Sequence, residues 1–552
     1  MKYFTKKIYL ILYLISTITL GTEANSLNNK NLYSKTSISN YFSGIVSKND
    51  ADNKLALKYL NESQHLKKNH DNFNTQFIRT LVILEKFDKA FSFSKDIWVE
   101  DYNLFEPNLL LGIQSFIKKD FKNAEKYFQR MNNTSYHFSF ERILGNIMMS
   151  WTMAANNNEI DSFKILSKMP DQYVSLKNIQ TSFLNCYFDN SKTQLSFEEL
   201  TGMKESNFSR YNFFLINHLI HKNKNAEAKR ALDKARKLHK TNLLLKQTEN
   251  FIAKKNYKKI KSFFNCKNPR DVMAEIFYLI ANMYAAENDY QLSNFYLKIS
   301  LFLNNSFLTN KSLLAENLYY EGKYELSKQA YMSLKKIGPV YSWYASLHTA
   351  IILLKLDGKE ISTSSLQNDF DLLINPNHEN YFDLANFYKD SEYYKMSIKY
   401  YTLALKNIDQ NNFLVPKILY RRGTSYERAG DWENSEKDLL ESLEILPDEP
   451  NVLNYLAYGW VEKNENIDEA LKMLKKATKI KENDGYIIDS LGWAYYMNKN
   501  YYEAELYLQR AVELLPLDPV VNDHYADALW MLNKDIQARY FWNHVLNLDK
   551  SE

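Results

Sequence analysis

One spacing constrains this chain more than any other feature. Residues suited to a close helix–helix contact return at Gly44, Ile78, Gly112, Gly145, Gln180, Ile216, Thr248, Ala281, Ala315, Ala350, Ala385, Gly423, Ala457, Gly492 and Ala526, at intervals of 32 to 38 residues that centre on 34. Gln180, Thr248 and Ala350 are placed by register more than by residue type. A period of this length, sustained along a chain, marks an array whose units bury their apolar faces only against their neighbours. The unit is most complete where Leu491-Gly492-Trp493-Ala494-Tyr495 is followed by Tyr501-Tyr502-Glu503-Ala504, Leu508, Ala511 and Pro516. Its two small residues stand 12 apart, with an aromatic before the second and proline at the end. That pattern describes two helices joined by a turn, the small residues allowing close approach. Gly423, Tyr426, Trp432, Ser435, Leu439 and Pro447 repeat it, as do Gly112, Phe121, Ala124 and Phe128, and Gly44, Ala56 and Leu60.

Composition agrees. Only 13 Gly and 10 Pro occur in 552 residues, few of the breakers that an all-β or α/β chain needs. The expected fold is all-α, an α-solenoid (superhelix) of about fifteen helix-turn-helix repeats. The longest interval, 38 residues between Ala385 and Gly423, holds Asp409-Gln410-Asn411-Asn412 and Pro416. It predicts a joint there, with a degenerate array over 25–408 and a well-formed one over 409–552.

The pattern resembles the tetratricopeptide repeat family over nearly all of the chain after residue 24, most closely in the last four repeats. Asn454-Tyr455-Leu456-Ala457-Tyr458, the run from Asp484 to Trp493, and Asn522-Asp523-His524 are similar to exported repeat proteins best represented in alphaproteobacteria. Some relatives of these in other proteobacteria are outer-membrane lipoproteins that partner carboxyl-terminal processing proteases. The resemblance implies a binding protein. It does not carry membrane tethering across, because the lipid-anchoring cysteine is absent.

The first residues read as an export signal. Lys2, Lys6 and Lys7 precede an apolar run from Ile8 to Gly21, and Thr22-Glu23-Ala24 supplies a small-x-small cleavage site. The run is 14 residues long, whereas a spanning helix takes roughly 20. Residues 1–24 are therefore expected to be a signal peptide, and the protein to be periplasmic. Cys186 and Cys266 are the only cysteines, too few for a disulfide framework, and they fall in different repeats, so no pairing is expected. Lys and Arg (70) nearly balance Asp and Glu (65). Positive positions such as Lys254, Lys255, Lys258 and Lys259 read as scattered, solvated helix faces, so no nucleic-acid partner is expected.

Catalytic motifs are missing. The sequence has no phosphate-cradling glycine loop, no G-x-S-x-G elbow and no H-E-x-x-H. His218 and His221, one helical turn apart, are the nearest approach to a metal pair and lack a third ligand in sequence reach. Asp523, His524 and Asp527 are acid–base types at helical spacing, but on a face where contact with a partner explains them better than catalysis. We expect no enzyme activity, no cofactor and no metal.

The first helix of each repeat lines the inside of such an array, and positions one turn apart share that face. In the last four repeats this selects Tyr420, Thr424, Glu427 and Arg428, then Asn454, Tyr458 and Val461, then Asp489, Trp493 and Tyr496, and finally Asp523, Asp527 and Trp530. Aromatic anchors among polar groups suit peptide or helix recognition. The expected function is an envelope scaffold or adaptor holding a protein or peptide, such as an envelope protease or an assembly factor. The alternative is a component of an envelope assembly or polysaccharide or protein secretion machine. Membrane contact is expected only through a partner or an uncleaved signal.

Overall fold

The computed structural model describes residues 34–68, 70–99, 104–131, 139–202 and 209–548; the expected signal segment 1–24 lies outside them. Among the described residues are 30 α-helices and no strand. They pair into 15 hairpins, and every anchor of the sequence register lies on the first helix of its pair, here helix A. Gly44 sits in Lys35–Asn49 and Ala526 in Pro519–Met531. The anchors set by register alone hold as well: Gln180 in Val174–Tyr187, Thr248 in Leu243–Ala253 and Ala350 in Pro339–Leu356. The fold is an all-α solenoid.

The anchor works by what it leaves room for. A Cβ on Gly44 would lie 2.9 Å from the Leu60 side chain, one on Gly112 2.4 Å from Phe128, and one on Gly492 2.6 Å from Leu508. In each case the large partner stands 16 positions later, on the second helix of the hairpin, helix B. The small residue 12 positions after the anchor completes the contact. In two repeats a serine there also satisfies the anchor's carbonyl, Ser293 Oγ donating to Ala281 O and Ser327 Oγ to Ala315 O, both at 2.7 Å. Turns between the two helices are built mostly without glycine. Glu85 (φ 59°), Lys119 (φ 61°), Asp189 (φ 63°) and Lys499 (φ 60°) adopt the left-handed conformation that closes a helix, at some cost for residues with a Cβ.

The chain divides into two compact units, one reaching Tyr341 and the other starting at Ser342. The position expected as a joint, 409–412, falls inside the second unit. There Tyr401 and Ala404 share one core with Val415 and Ile418 across that loop. The first unit curls back on itself. Helix A Asp71–Ile83 and its partner Phe87–Ile97 meet helix B Tyr290–Leu303. Phe87 stacks on Phe302 at 4.0 Å, Lys298 pairs with Glu85 at 2.5 Å, and Arg79, paired with Glu106, lies over Phe295.

The cysteines do pair, contrary to expectation: Cys186 and Cys266 form a disulfide with Cα atoms 5.9 Å apart. Its origin is a shortened helix B, Tyr257–Phe263, of 7 residues. The chain leaving it turns back across Tyr211–His221 to reach Val174–Tyr187. Phe264 packs on Phe214 (4.6 Å) and Phe183 (5.5 Å), and Lys267 Nζ donates to Tyr187 O at 2.6 Å. Separation by two repeats in sequence is therefore undone by one missing helical turn.

Two outcomes test these contacts. Gly492→Val should destabilise the second unit by about 2–3 kcal/mol, and adding Leu508→Ala should recover part of the loss, read by denaturant titration. Loop-closure entropy assigns about 4–5 kcal/mol to a bridge across a separation of 80 residues. Reduction, or Cys186→Ser with Cys266→Ser, should lower the stability of the first unit by up to that amount.

Candidate partner-binding groove

Four consecutive helix A segments of the second unit, Val415–Arg428, Pro450–Glu462, Gly485–Met497 and Pro519–Met531, contribute to a cavity of about 590 Å³. Their starts are fixed locally. Pro450 and Pro519 occupy first-turn positions, and the carboxylates of Asp484 and Asp518 accept the free N–H groups of Ile487 and of Val520 and Val521. Five of the residues selected from sequence line the cavity: Glu427, Arg428, Asn454, Tyr458 and Asp489. Beside them stand Trp432, Tyr455, Gly459, Glu462, Lys463 and Asp518.

Sequence selection missed Trp432 because it belongs to a helix B. The signal that could have found it is Gly459, a mid-helix glycine next to Tyr458. A Cβ there would lie 2.1 Å from the Trp432 ring, so the indole lies across the helix where only hydrogen is tolerated. Lys463 caps the ring's face at 5.3 Å. Glu462, also missed, accepts from Trp493 Nε1 at 2.7 Å, and Glu427 accepts from Tyr455 OH at 2.8 Å. Burial, with the charges of Glu462 and Asp489, raises the Tyr458 phenol well above its usual range. The lining carboxylates Glu427, Glu462, Asp489 and Asp518 outnumber the cations Arg428 and Lys463.

The other selected residues lie elsewhere. Tyr420 is half-buried in the core, edge-on to Tyr455 at 6.0 Å. Thr424 and Val461 are buried. Trp493 is sandwiched between Tyr496 (4.7 Å) and His524 (4.1 Å). Asp523 is exposed, and Trp530, 43% exposed, packs on Trp542 at 5.5 Å. Burial and the Asp523 charge raise the Asp527 carboxyl, which hydrogen-bonds Trp542.

The acid–base cluster read from sequence is rearranged. His524 pairs with Asp489 of the preceding repeat, Nδ1 to the two carboxylate oxygens at 3.1 and 3.0 Å, and both side chains are buried. Burial opposes the charged imidazole, but the Asp489 hydrogen bond and charge outweigh it and raise its pKa. His218 also acquires a structural setting. Its Nδ1 lies 3.1 Å from Cys186 Sγ, and burial pushes the imidazole down to about 4. His221 Nε2 lies 3.1 Å from Phe264 O. The sulfurs of Cys186 and Cys266 and His218 could face one ion, but both sulfurs are already joined in the disulfide.

No family model matches the chain. A TPR repeat-containing protein of Pseudomonas aeruginosa is 33% identical over 99 residues, which is 18% of this chain and 17% of that protein. Among solved structures, MamA of Desulfovibrio magneticus is similar over 33% of this chain and 99% of its own, at 16% identity and a TM-score of 0.29. The C-terminal part of a TPR repeat-containing protein of Cytophaga hutchinsonii is similar over 37% of this chain and 78% of its own, at 16% identity and a TM-score of 0.30. Fifteen hairpins on a 34-residue register, together with the matched segment, make the chain an all-α repeat protein similar to tetratricopeptide-repeat proteins.

The His524–Asp489 pair makes a pH prediction. A histidine whose folded pKa lies above its unfolded value adds stability below about pH 6.5, and that stability is lost as pH rises through the folded value. The NMR titration midpoint of His524 should exceed 6.5, and Asp489→Asn should lower it.

Proposed function

We propose that this protein is a non-catalytic scaffold of the bacterial envelope that holds an extended segment of a partner protein in the groove between Arg428 and Val521. The observation that carries the reading is the cavity wall, in which Trp432, Tyr455 and Tyr458 alternate with the carboxylates of Glu427, Glu462 and Asp489. Aromatic faces flanked by hydrogen-bonding groups are what recognition of an extended segment uses. The excess of carboxylates favours a segment with a basic side chain among Glu427, Glu462 and Asp489. An envelope protease or assembly factor is the partner class that the sequence resemblance suggests.

Export rests on the Lys2-to-Ala24 pattern and gains support from the Cys186–Cys266 disulfide, a bond that persists in oxidising compartments. The test is a photo-crosslinking residue placed at Tyr458 and, as control, at exposed Lys472 on a helix B, with the protein expressed in its own envelope. A discrete adduct from position 458 alone, lost on Glu462→Lys, is expected. Equal labelling from both positions, or none, would remove the groove assignment. Tyr458→Ala and Trp432→Ala should each weaken the recovered partner's affinity about tenfold, measured by titration calorimetry.

A further inference from the structure

Residues 222–261 carry 14 Lys and Arg against 3 Asp and Glu. That net of +11 exceeds the +5 of the whole chain, so the remainder is acidic. Read one by one the cations look scattered, but the fold gathers them. The stretch forms helix B Asn225–Leu238, helix A Leu243–Ala253 and the short helix B Tyr257–Phe263. Lys261 Nζ donates to Asn223 Oδ1 at 3.1 Å, which holds the turn of one hairpin against helix B of the next. Lys229, Arg230, Lys234, Lys237, Lys254 and Lys258 are all exposed. Of the three acids, Glu227 already pairs with Lys224 and Glu249 with Arg236. A merely solvated helix face mixes both signs in near balance; here Asp233 and Glu249 are the only exposed acids of the stretch.

The chemistry of the patch selects among polyanions. Twelve of the 14 cations are lysines, point charges without the planar fork by which arginine reads bases. Its aromatic rings are withdrawn, with Phe251 and Phe263 buried and Tyr257 half-buried, so none is presented for base stacking. Leu238, beside Lys237 at the end of its helix, is 70% exposed. An apolar side chain set among lysines is the pattern of a surface that rests on lipid headgroups.

We propose that the face built by residues 222–261 docks on an anionic phospholipid bilayer, with lysines over the headgroup phosphates and Leu238 reaching the interface. The site is separate from the groove and independent of what the groove holds. The test is co-sedimentation of the full chain with phosphatidylcholine vesicles containing or lacking phosphatidylglycerol, at low and high salt. Binding should require the anionic lipid and fall steeply with salt. Each exposed cation changed to glutamine among positions 229, 230, 234, 237, 254 and 258 should weaken it roughly fivefold, with the circular dichroism spectrum unchanged. Equal binding to neutral vesicles, no binding at low salt, or a sixfold variant that sediments like the wild type would overturn the proposal. Retention of a DNA duplex where anionic vesicles are not bound would reassign the face to nucleic acid. If the variant fails to fold, the lipid and salt dependence of the wild type alone decides the matter.

Discussion

The best-formed hairpins of this protein depend on a small residue of helix A meeting a large residue of helix B sixteen positions later. Gly112 against Phe128 and Gly492 against Leu508 leave no space for even one further carbon. This contact sets how closely the two helices of a repeat approach, and hence which side chains remain to pack on the next repeat. Local consistency of this kind lets an array be read from its period. Features that carry function appear where the geometry departs from it, at a shortened helix, a curled-back unit or an indole lying across a glycine.

The two units put the same repeat to different uses. In the first, aromatic stacking of Phe87 on Phe302 and the Lys298–Glu85 pair join repeats far apart in sequence, and a disulfide reinforces the middle. In the second, successive helix A faces leave a cavity with tyrosine and carboxylate walls. Packing has consumed much of the aromatic surface that sequence offers there. Trp493 is held between Tyr496 and His524, and Tyr420 lies in the core, which leaves Tyr458, Tyr455 and Trp432 to face the cavity.

The fold was legible in the sequence because its determinants are local and periodic, so that even Gln180, Thr248 and Ala350, chosen by counting alone, fall on helix A. The disulfide was not, because it follows from the length of Tyr257–Phe263, and helix length is poorly marked where a turn lacks glycine or proline. Half of the groove was hidden for a related reason. Helical periodicity identifies the face of helix A but cannot tell that Trp432 reaches over from helix B or that Asp489 is claimed by His524. The basic stretch reads as scattered cations such as Lys254 and Lys258 in the sequence, because acidic repeats elsewhere nearly cancel its charge over the whole chain.

The closure of the first unit bears on how such a chain can change over evolutionary time. In an open array each repeat answers only to its neighbours, so a repeat gained or lost in duplication leaves the others intact. Glu85 and Lys298 are 213 positions apart yet bonded, so inserting or deleting one hairpin between them would shift the two ends by a full repeat and break the seam. The number of repeats in that span is thereby fixed by geometry, while the array after Ser342 remains free to lengthen or shorten and to acquire new partners.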